Sequence, residues 1–210
     1  LYKNGTLKPP FAPTTYNPVG SYVTTFTLPE SWKDMPITLR FEGIESCGYV
    51  WVNGDMVGFS KSTFDPVEFD ITPYLVSGVN RLAVEVYRWC DGSWLEDQDF
   101  WRLSGIFRSV TVYAKPSISI RDYYFRTHLS QGKALPTLTV DLESYSIPSA
   151  LASLQLSLRD GDAVVASSHI KDIQIYNEKA SAETKWEIDL PRLWSAEDPY
   201  RYTLVIELMD

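Results

Sequence analysis

Apolar and polar residues alternate along most of this chain. Tyr22–Leu28 (YVTTFTL) and Ile37–Phe41 (ITLRF) both follow a period of two. That period of two is the spacing at which a pleated strand sends side chains to opposite faces, so each reads as a half-buried strand. Tyr49–Val52 runs directly into Asn53-Gly54, a strong two-residue hairpin signal, and Met56–Phe59 follows as the return strand. Val67–Ile71, Asn80–Tyr87 and Val110–Tyr113 continue the pattern. One helical turn is expected, at Thr72-Pro73-Tyr74, with Thr72 as N-cap and Pro73 at the first helical position. Short strands at near-regular spacing, separated by turn residues, predict a β-sandwich or jelly roll.

The character changes at Lys115-Pro116. Plainer strands follow: Ile118–Leu129, Pro136–Leu142, Leu151–Leu158, Ala163–His169, Thr184–Leu190 and Tyr202–Leu208. Asp160-Gly161-Asp162 is a hairpin turn between two of them. Six strands fit an immunoglobulin-like sandwich, which normally has seven, so the reading leaves this domain truncated at its C-terminal end. The expected division is therefore all-β, with one domain over residues 1–116 and a second over 117–210.

Composition narrows the partners. Nineteen basic and 27 acidic residues leave a net charge of −8. That balance argues against nucleic acid, which needs a basic footprint, and against an anionic membrane surface. No run approaches the roughly 18 apolar residues of a membrane-spanning helix. The first residues lack the apolar core of a signal peptide and a starting Met, so an excised piece is expected and the compartment is left unassigned. Cys47 and Cys90 are expected to be free, buried thiols.

Candidate chemistry concentrates in Asp91–Arg108, DGSWLEDQDFWRLSGIFR, which interleaves acids, arginines, aromatics and glycines. Such charges are costly to bury unless paired. Flat rings beside carboxylates suit a sugar, the ring meeting its C–H face and the carboxylates its hydroxyls. A glycosidase needs two carboxyl groups about 5 to 9.5 Å apart, flanking one glycosidic bond. Glu96, Asp97 and Asp99 lie on one short segment and would approach from a single side, so no catalytic pair is assigned there. The alternative is that these acids pair with Arg88, Arg102 and Arg108. Tyr16-Asn17-Pro18 makes a turn that presents the Asn17 amide at a loop edge, where it serves either the turn itself or a sugar hydroxyl. Trp94 and Trp101 are either packed or free to stack on a sugar. His128 and His169 stand in alternating strands of the second domain, far from this cluster, without the ligand set of a zinc site or the elbow of a serine hydrolase. No phosphate-binding glycine motif is present.

Several motifs occur together and in order. They are Asn17-Pro-x-Gly20-x-Tyr22, Trp51-x-Asn53-Gly54, Glu68-Phe69-Asp70, Asn80-Arg-Leu-Ala-Val84, Arg88-Trp-x-Asp-Gly-Ser93, Leu95-Glu-Asp-Gln-Asp99-x-Trp101-Arg-x-Ser-Gly-Ile-x-Arg108 and Leu193-Trp-Ser-x-x-x-Pro199. In this combination the chain resembles the N-terminal part of a glycoside hydrolase family 2 β-galactosidase of the large bacterial type. The long run from Arg88 to Arg108 carries most of the likeness.

The resemblance implies a jelly-roll sugar-binding domain and an immunoglobulin-like sandwich, with the catalytic glutamates on a TIM barrel that this chain lacks. It implies no catalytic residue here, Asn17 and Asp99 as substrate-binding residues, and Asp99 as a ligand of Na⁺. For the intact enzyme it implies Na⁺ and Mg²⁺, a β-galactoside substrate and a homo-oligomer. Trp94 and Cys90 stand where relatives often have Tyr and Ser. Two other functions fit the residues less fully, a free-standing carbohydrate-binding module and a β-glucuronidase or β-mannosidase relative. A ligand-free structural sandwich pair is the remaining reading, and it would consume the acids of 91–108 in internal salt bridges.

Overall fold

Period-two alternation becomes strand wherever one face can be buried. A computed structural model describes residues 9–96, 99 and 101–209. Among them, regular structure is all strand apart from three short 3-10 turns. The chain divides into two compact units, residues 1–115 and 116–210.

The first unit contains β1 (Val19–Thr27), β2 (Ile37–Phe41), β3 (Ile44–Glu45), β4 (Cys47–Val52), β5 (Asp55–Ser60), β6 (Val67–Asp70), β7 (Val79–Tyr87), β8 (Gly105–Ile106) and β9 (Val110–Ala114). They form a four-stranded sheet in the order β1-β7-β4-β5, a three-stranded sheet β6-β2-β9 and a small β3-β8 pair, all antiparallel. Alternate residues fill the core. Ile37, Leu39 and Phe41 come from β2, Val50 and Val52 from β4, and Leu82, Val84 and Val86 from β7. The β4–β5 hairpin turns on Asn53 and Gly54, both at positive φ, as a two-residue turn of the primed kind requires.

The four-stranded sheet carries apolar and aromatic residues on its other face too. Its register sets Val23, Ala83, Trp51 and Met56 side by side in one row. The next row holds Ser21, Glu85, Tyr49 and Phe59. Tyr49 stacks on Phe59 at 5.7 Å and meets Tyr87 edge-on at 5.7 Å. Val23 and Phe59 keep 58% and 53% of their surface exposed.

The turn at Thr72–Tyr74 forms, but Thr72 lies inside it rather than at its cap. The cap position is Ile71, and one residue before it the Asp70 Oδ1 accepts from Thr72 N at 3.0 Å. The Thr72 hydroxyl oxygen is left to accept from the Ile37 N–H at 2.8 Å, tying the turn to β2.

The second unit contains β10 (Ile118–Ser130), β11 (Lys133–Ser144), β12 (Ser149–Asp160), β13 (Ala163–Tyr176), β14 (Lys179–Lys185), β15 (Ile188–Asp189) and β16 (Thr203–Met209). Strands pair in the order β10-β11-β14-β13-β12-β16, with β15 against β11. Leu138, Val140 and Leu142 of β11 share one core with Leu154, Leu156 and Leu158 of β12 and Ile173 and Ile175 of β13. The expected strand over Thr184–Leu190 is in fact the end of β14, a break at Trp186-Glu187 and the short β15. Trp186 causes the break: its buried ring turns into the core and its indole N–H donates to Ser168 Oγ at 2.8 Å.

Candidate functional site

The acid-rich stretch opens with a 3-10 turn, Asp91–Trp94, and at its far end β8 pairs with β3. Local chemistry starts it. The Ser93 Oγ accepts from Cys90 N at 3.0 Å, and Asp91 Oδ1 accepts from Gly92 N at 2.9 Å. Asp91 also meets Lys61 Nζ at 2.9 Å, and these two contacts hold its carboxyl below the usual carboxylate range. Gly105, at φ +92, is where the loop turns back; a Cβ there would lie 2.7 Å from the Tyr22 hydroxyl.

The larger side chains brace this loop through main-chain groups. Arg102 Nη2 donates to Ser93 O at 3.1 Å and also to Glu96 O, drawing the loop onto the turn before it. Arg108 Nη1 donates to Phe64 O at 2.9 Å and Glu42 O at 3.2 Å. Arg88 and Arg102 both rest on the Trp89 ring, 5.3 and 5.7 Å from its centroid. The Glu96 carboxylate accepts from both the N–H and the hydroxyl of buried Thr63. Ser104 N donates to Glu45 Oε2 at 2.8 Å. The described contacts of Glu96 and Asp91 are therefore to Thr63, Lys61 and the backbone, rather than to arginines. Asp97 lies outside the described residues.

Asn17 is half-buried and already engaged. Its Nδ2 donates to Trp89 O at 2.9 Å, while its Oδ1 accepts from Trp89 N at 2.9 Å. Beside it, Arg88 N donates to Pro18 O at 3.0 Å. The Asn-Pro turn is thus clipped to the chain three residues before the acid loop begins. One amide N–H and one oxygen lone pair of Asn17 remain for a ligand.

Asp99 is exposed, and among the described residues no hydrogen bond or ion pair engages its carboxylate. A carboxylate left unneutralised in a braced loop can accept two hydroxyl hydrogens or supply oxygen to a hard cation. No group of three or more His, Cys, Asp or Glu among the described residues could hold a metal. Asp99 alone offers only part of a cation's shell, so these residues do not make a Na⁺ site by themselves.

Trp94 and Trp101 part company. Trp94 is half-buried, with its indole N–H donating to Phe11 O at 3.2 Å, whereas Trp101 is 87% exposed.

Comparison with known proteins places this arrangement. The family model for the sugar-binding domain of glycosyl hydrolases family 2 matches residues 2–116, and a second model of the same family matches residues 118–210.

The chain belongs to glycosyl hydrolases family 2.

It is 45% identical over 210 residues to a β-galactosidase of Priestia megaterium, covering 98% of this chain and 20% of that one. A β-galactosidase of Halalkalibacterium halodurans is 44% identical over 205 residues, covering 97% and 20%. The chain spans about a fifth of the length of these curated relatives. Among solved structures, a Bacteroides uniformis β-glucuronidase superposes with a TM-score of 0.83 at 24% identity, covering 92% of this chain and 24% of its own. A Bifidobacterium dentium β-glucuronidase gives 0.76 at 22% identity, covering 99% and 38%. At that identity the two structures attest the fold alone. The first unit is therefore a family 2 sugar-binding domain, and the second is the immunoglobulin-like sandwich of the same family.

Thr63, Lys61 and Glu45 escaped sequence reading as parts of this family 2 loop. No local signal marks them, since only the strand pairing brings β3 and the β5–β6 connection against residues 91–104.

Proposed function

We propose that this chain is the non-catalytic N-terminal part of a retaining β-galactosidase and supplies sugar-orienting groups to an active site built mainly on a separate TIM barrel of the same enzyme. The observation that carries the reading is Asp99, an exposed carboxylate with no described partner, on a loop braced by Glu96, Arg102 and Arg108. Identities of 45% and 44% to β-galactosidases support the galactosidase reading.

The chemistry follows from that division. A retaining glycosidase holds nucleophile and acid about 5 to 5.5 Å apart on a rigid frame. A neighbouring loop contributes by fixing the sugar, since correct orientation accounts for a large share of the barrier reduction. The Asp99 carboxylate accepts hydroxyl hydrogens of the galactosyl ring; a hydrogen bond to a charged group is worth about 1.5–3 kcal/mol. Asn17 offers its remaining N–H to the same ring while it secures Trp89. A Na⁺ beside Asp99 would draw further oxygens from outside the described residues, and Mg²⁺ has no assigned ligand in this chain. A homo-oligomeric intact enzyme belongs to the same reading.

The test is kinetic. In the intact enzyme, Asp99→Asn lowers kcat/KM for nitrophenyl β-galactoside on the order of 100-fold without changing the melting transition. The 210-residue chain alone shows no turnover. Wild-type kinetics in the variant would remove Asp99 from the site. Tight galactose binding by the isolated chain, measured by calorimetry, would instead favour a free-standing carbohydrate-binding module.

A further inference from the structure

Trp89 is buried, at 6% exposure, yet it lies outside the apolar core that β2, β4 and β7 build. Its ring instead carries two guanidinium groups, those of Arg88 and Arg102. Two like charges beside one ring repel, and apolar side chains would fill the same space without that cost. What the guanidiniums add is reach. Arg102 Nη2 donates to Ser93 O and Glu96 O, and Arg88 Nη2 approaches Arg102 O at 3.5 Å. An arginine resting on an aromatic face gives up torsional freedom beforehand, so its planar fork is held ready for those carbonyls. The bond from Arg102 to Glu96 ties together the two ends of residues 96–102, and Asp99 stands midway between them in sequence. The Trp89 main chain, for its part, engages both polar atoms of the Asn17 amide.

We infer that Trp89 is a positioning residue: its ring steadies the loop that bears Asp99, its main chain fixes Asn17, and one residue thereby sets the spacing of the two groups.

The inference rests on the sugar contacts proposed for Asp99 and Asn17. Every support in the series from Asp99 to Asn17 lies inside the first unit, where the indole is enclosed. Loss of the ring beneath Arg102 frees its fork to turn, and the loop that carries Asp99 loosens with it. Orientation is steep in distance, since a misplacement of about 1 Å can cost on the order of 100-fold in rate.

A double-mutant cycle in the intact enzyme, read as kcat/KM for nitrophenyl β-galactoside, separates this role from a structural one. Trp89→Leu keeps the main chain that Asn17 needs and removes the ring, and kcat/KM falls about tenfold. Trp89→Phe keeps a smaller ring for the cations and loses about threefold. In an Asp99→Asn background each substitution changes kcat/KM by less than about 1.5-fold, because the group being positioned is gone. A residue that only held the fold together would cost the same factor in both backgrounds. That result, or unchanged kinetics in the wild-type background, would overturn the inference. Where the leucine variant fails to fold, the cycle with Trp89→Phe decides by the same criterion. Asp99→Asn alone is the independent arm. Wild-type kinetics there would remove the loop from sugar binding altogether. A slow Asp99→Asn enzyme with additive Trp89 effects would refute the positioning role and leave the sugar contact standing.

Discussion

The side chain of Asn17 and the main chain of Trp89, 72 positions apart, exchange two hydrogen bonds of 2.9 Å. Because both Trp89 partners are backbone groups, truncation of Asn17 orphans a donor and an acceptor together. Asn17→Ala is expected to destabilise the first unit by about 2 kcal/mol, the cost of unsatisfied polar groups. Asn17→Asp keeps the acceptor for Trp89 N but sets a carboxylate oxygen against Trp89 O, so it should recover little of that loss. Urea unfolding followed by tryptophan fluorescence measures both.

Glu96 and Thr63 fasten the middle of the acid loop. Glu96→Ala removes both acceptors of a threonine that is only 2% exposed and releases the segment from the β5–β6 connection. Limited proteolysis should then cut within residues 95–104 about ten times faster, as expected when local opening becomes easier. Thr63→Val, which keeps the N–H, should give a smaller increase. Equal cleavage of wild type and Glu96→Ala would mean that this contact does not anchor the loop.

Gly58 lies against an aromatic ring. A Cβ there would stand 2.7 Å from Phe69 Cε1, and Phe69 packs edge-on against buried Phe41 at 6.2 Å. Gly58→Ala should therefore destabilise the first unit by about 1–3 kcal/mol through overpacking. Adding Phe69→Leu should recover part of that loss, a non-additivity that thermal melts of the two single variants and the double variant would reveal.

Burial pushes the Cys47 thiol up to about 11, with Cys90 adding to the effect. Both cysteines are free and buried. A raised thiol value means that the folded state favours the neutral form. The unfolded chain loses this proton near pH 8.5, so stability falls as pH rises from there toward 11. Cys47→Ala should flatten that part of the profile. Urea midpoints between pH 7 and 10.5 for the two proteins provide the check.

Strands of the first unit were legible because alternation there is clean and the turns use Gly, Pro and Asn. The second unit hid more. The sequence reading placed no strand over residues 170–183, yet β13 runs to Tyr176 and β14 begins at Lys179. Two features obscure them. Asp172 takes positive φ near the point where the β12–β13 register slips between Ala152 and Leu154, which breaks the period. The connecting turn is Asn177-Glu178, both at positive φ, and lacks the glycine that sequence reading relies on. At the site, the loop was conspicuous from its composition, since so many acids and rings together have no place in a plain strand. Its bracing was not, because arginines that bind carbonyls look in sequence the same as arginines that bind acids.

The four-stranded sheet β1-β7-β4-β5, with valines and leucine on one side and Trp51, Tyr49, Phe59 and Met56 on the other, bears on how this unit can be inherited. Domains that spread by gene shuffling must tolerate water on every side when they land in a new context. A sheet that carries large rings on its second face as well meets that demand poorly. The unit is suited to long-term residence in one polypeptide, and relatives of roughly five times this length keep it in such a setting.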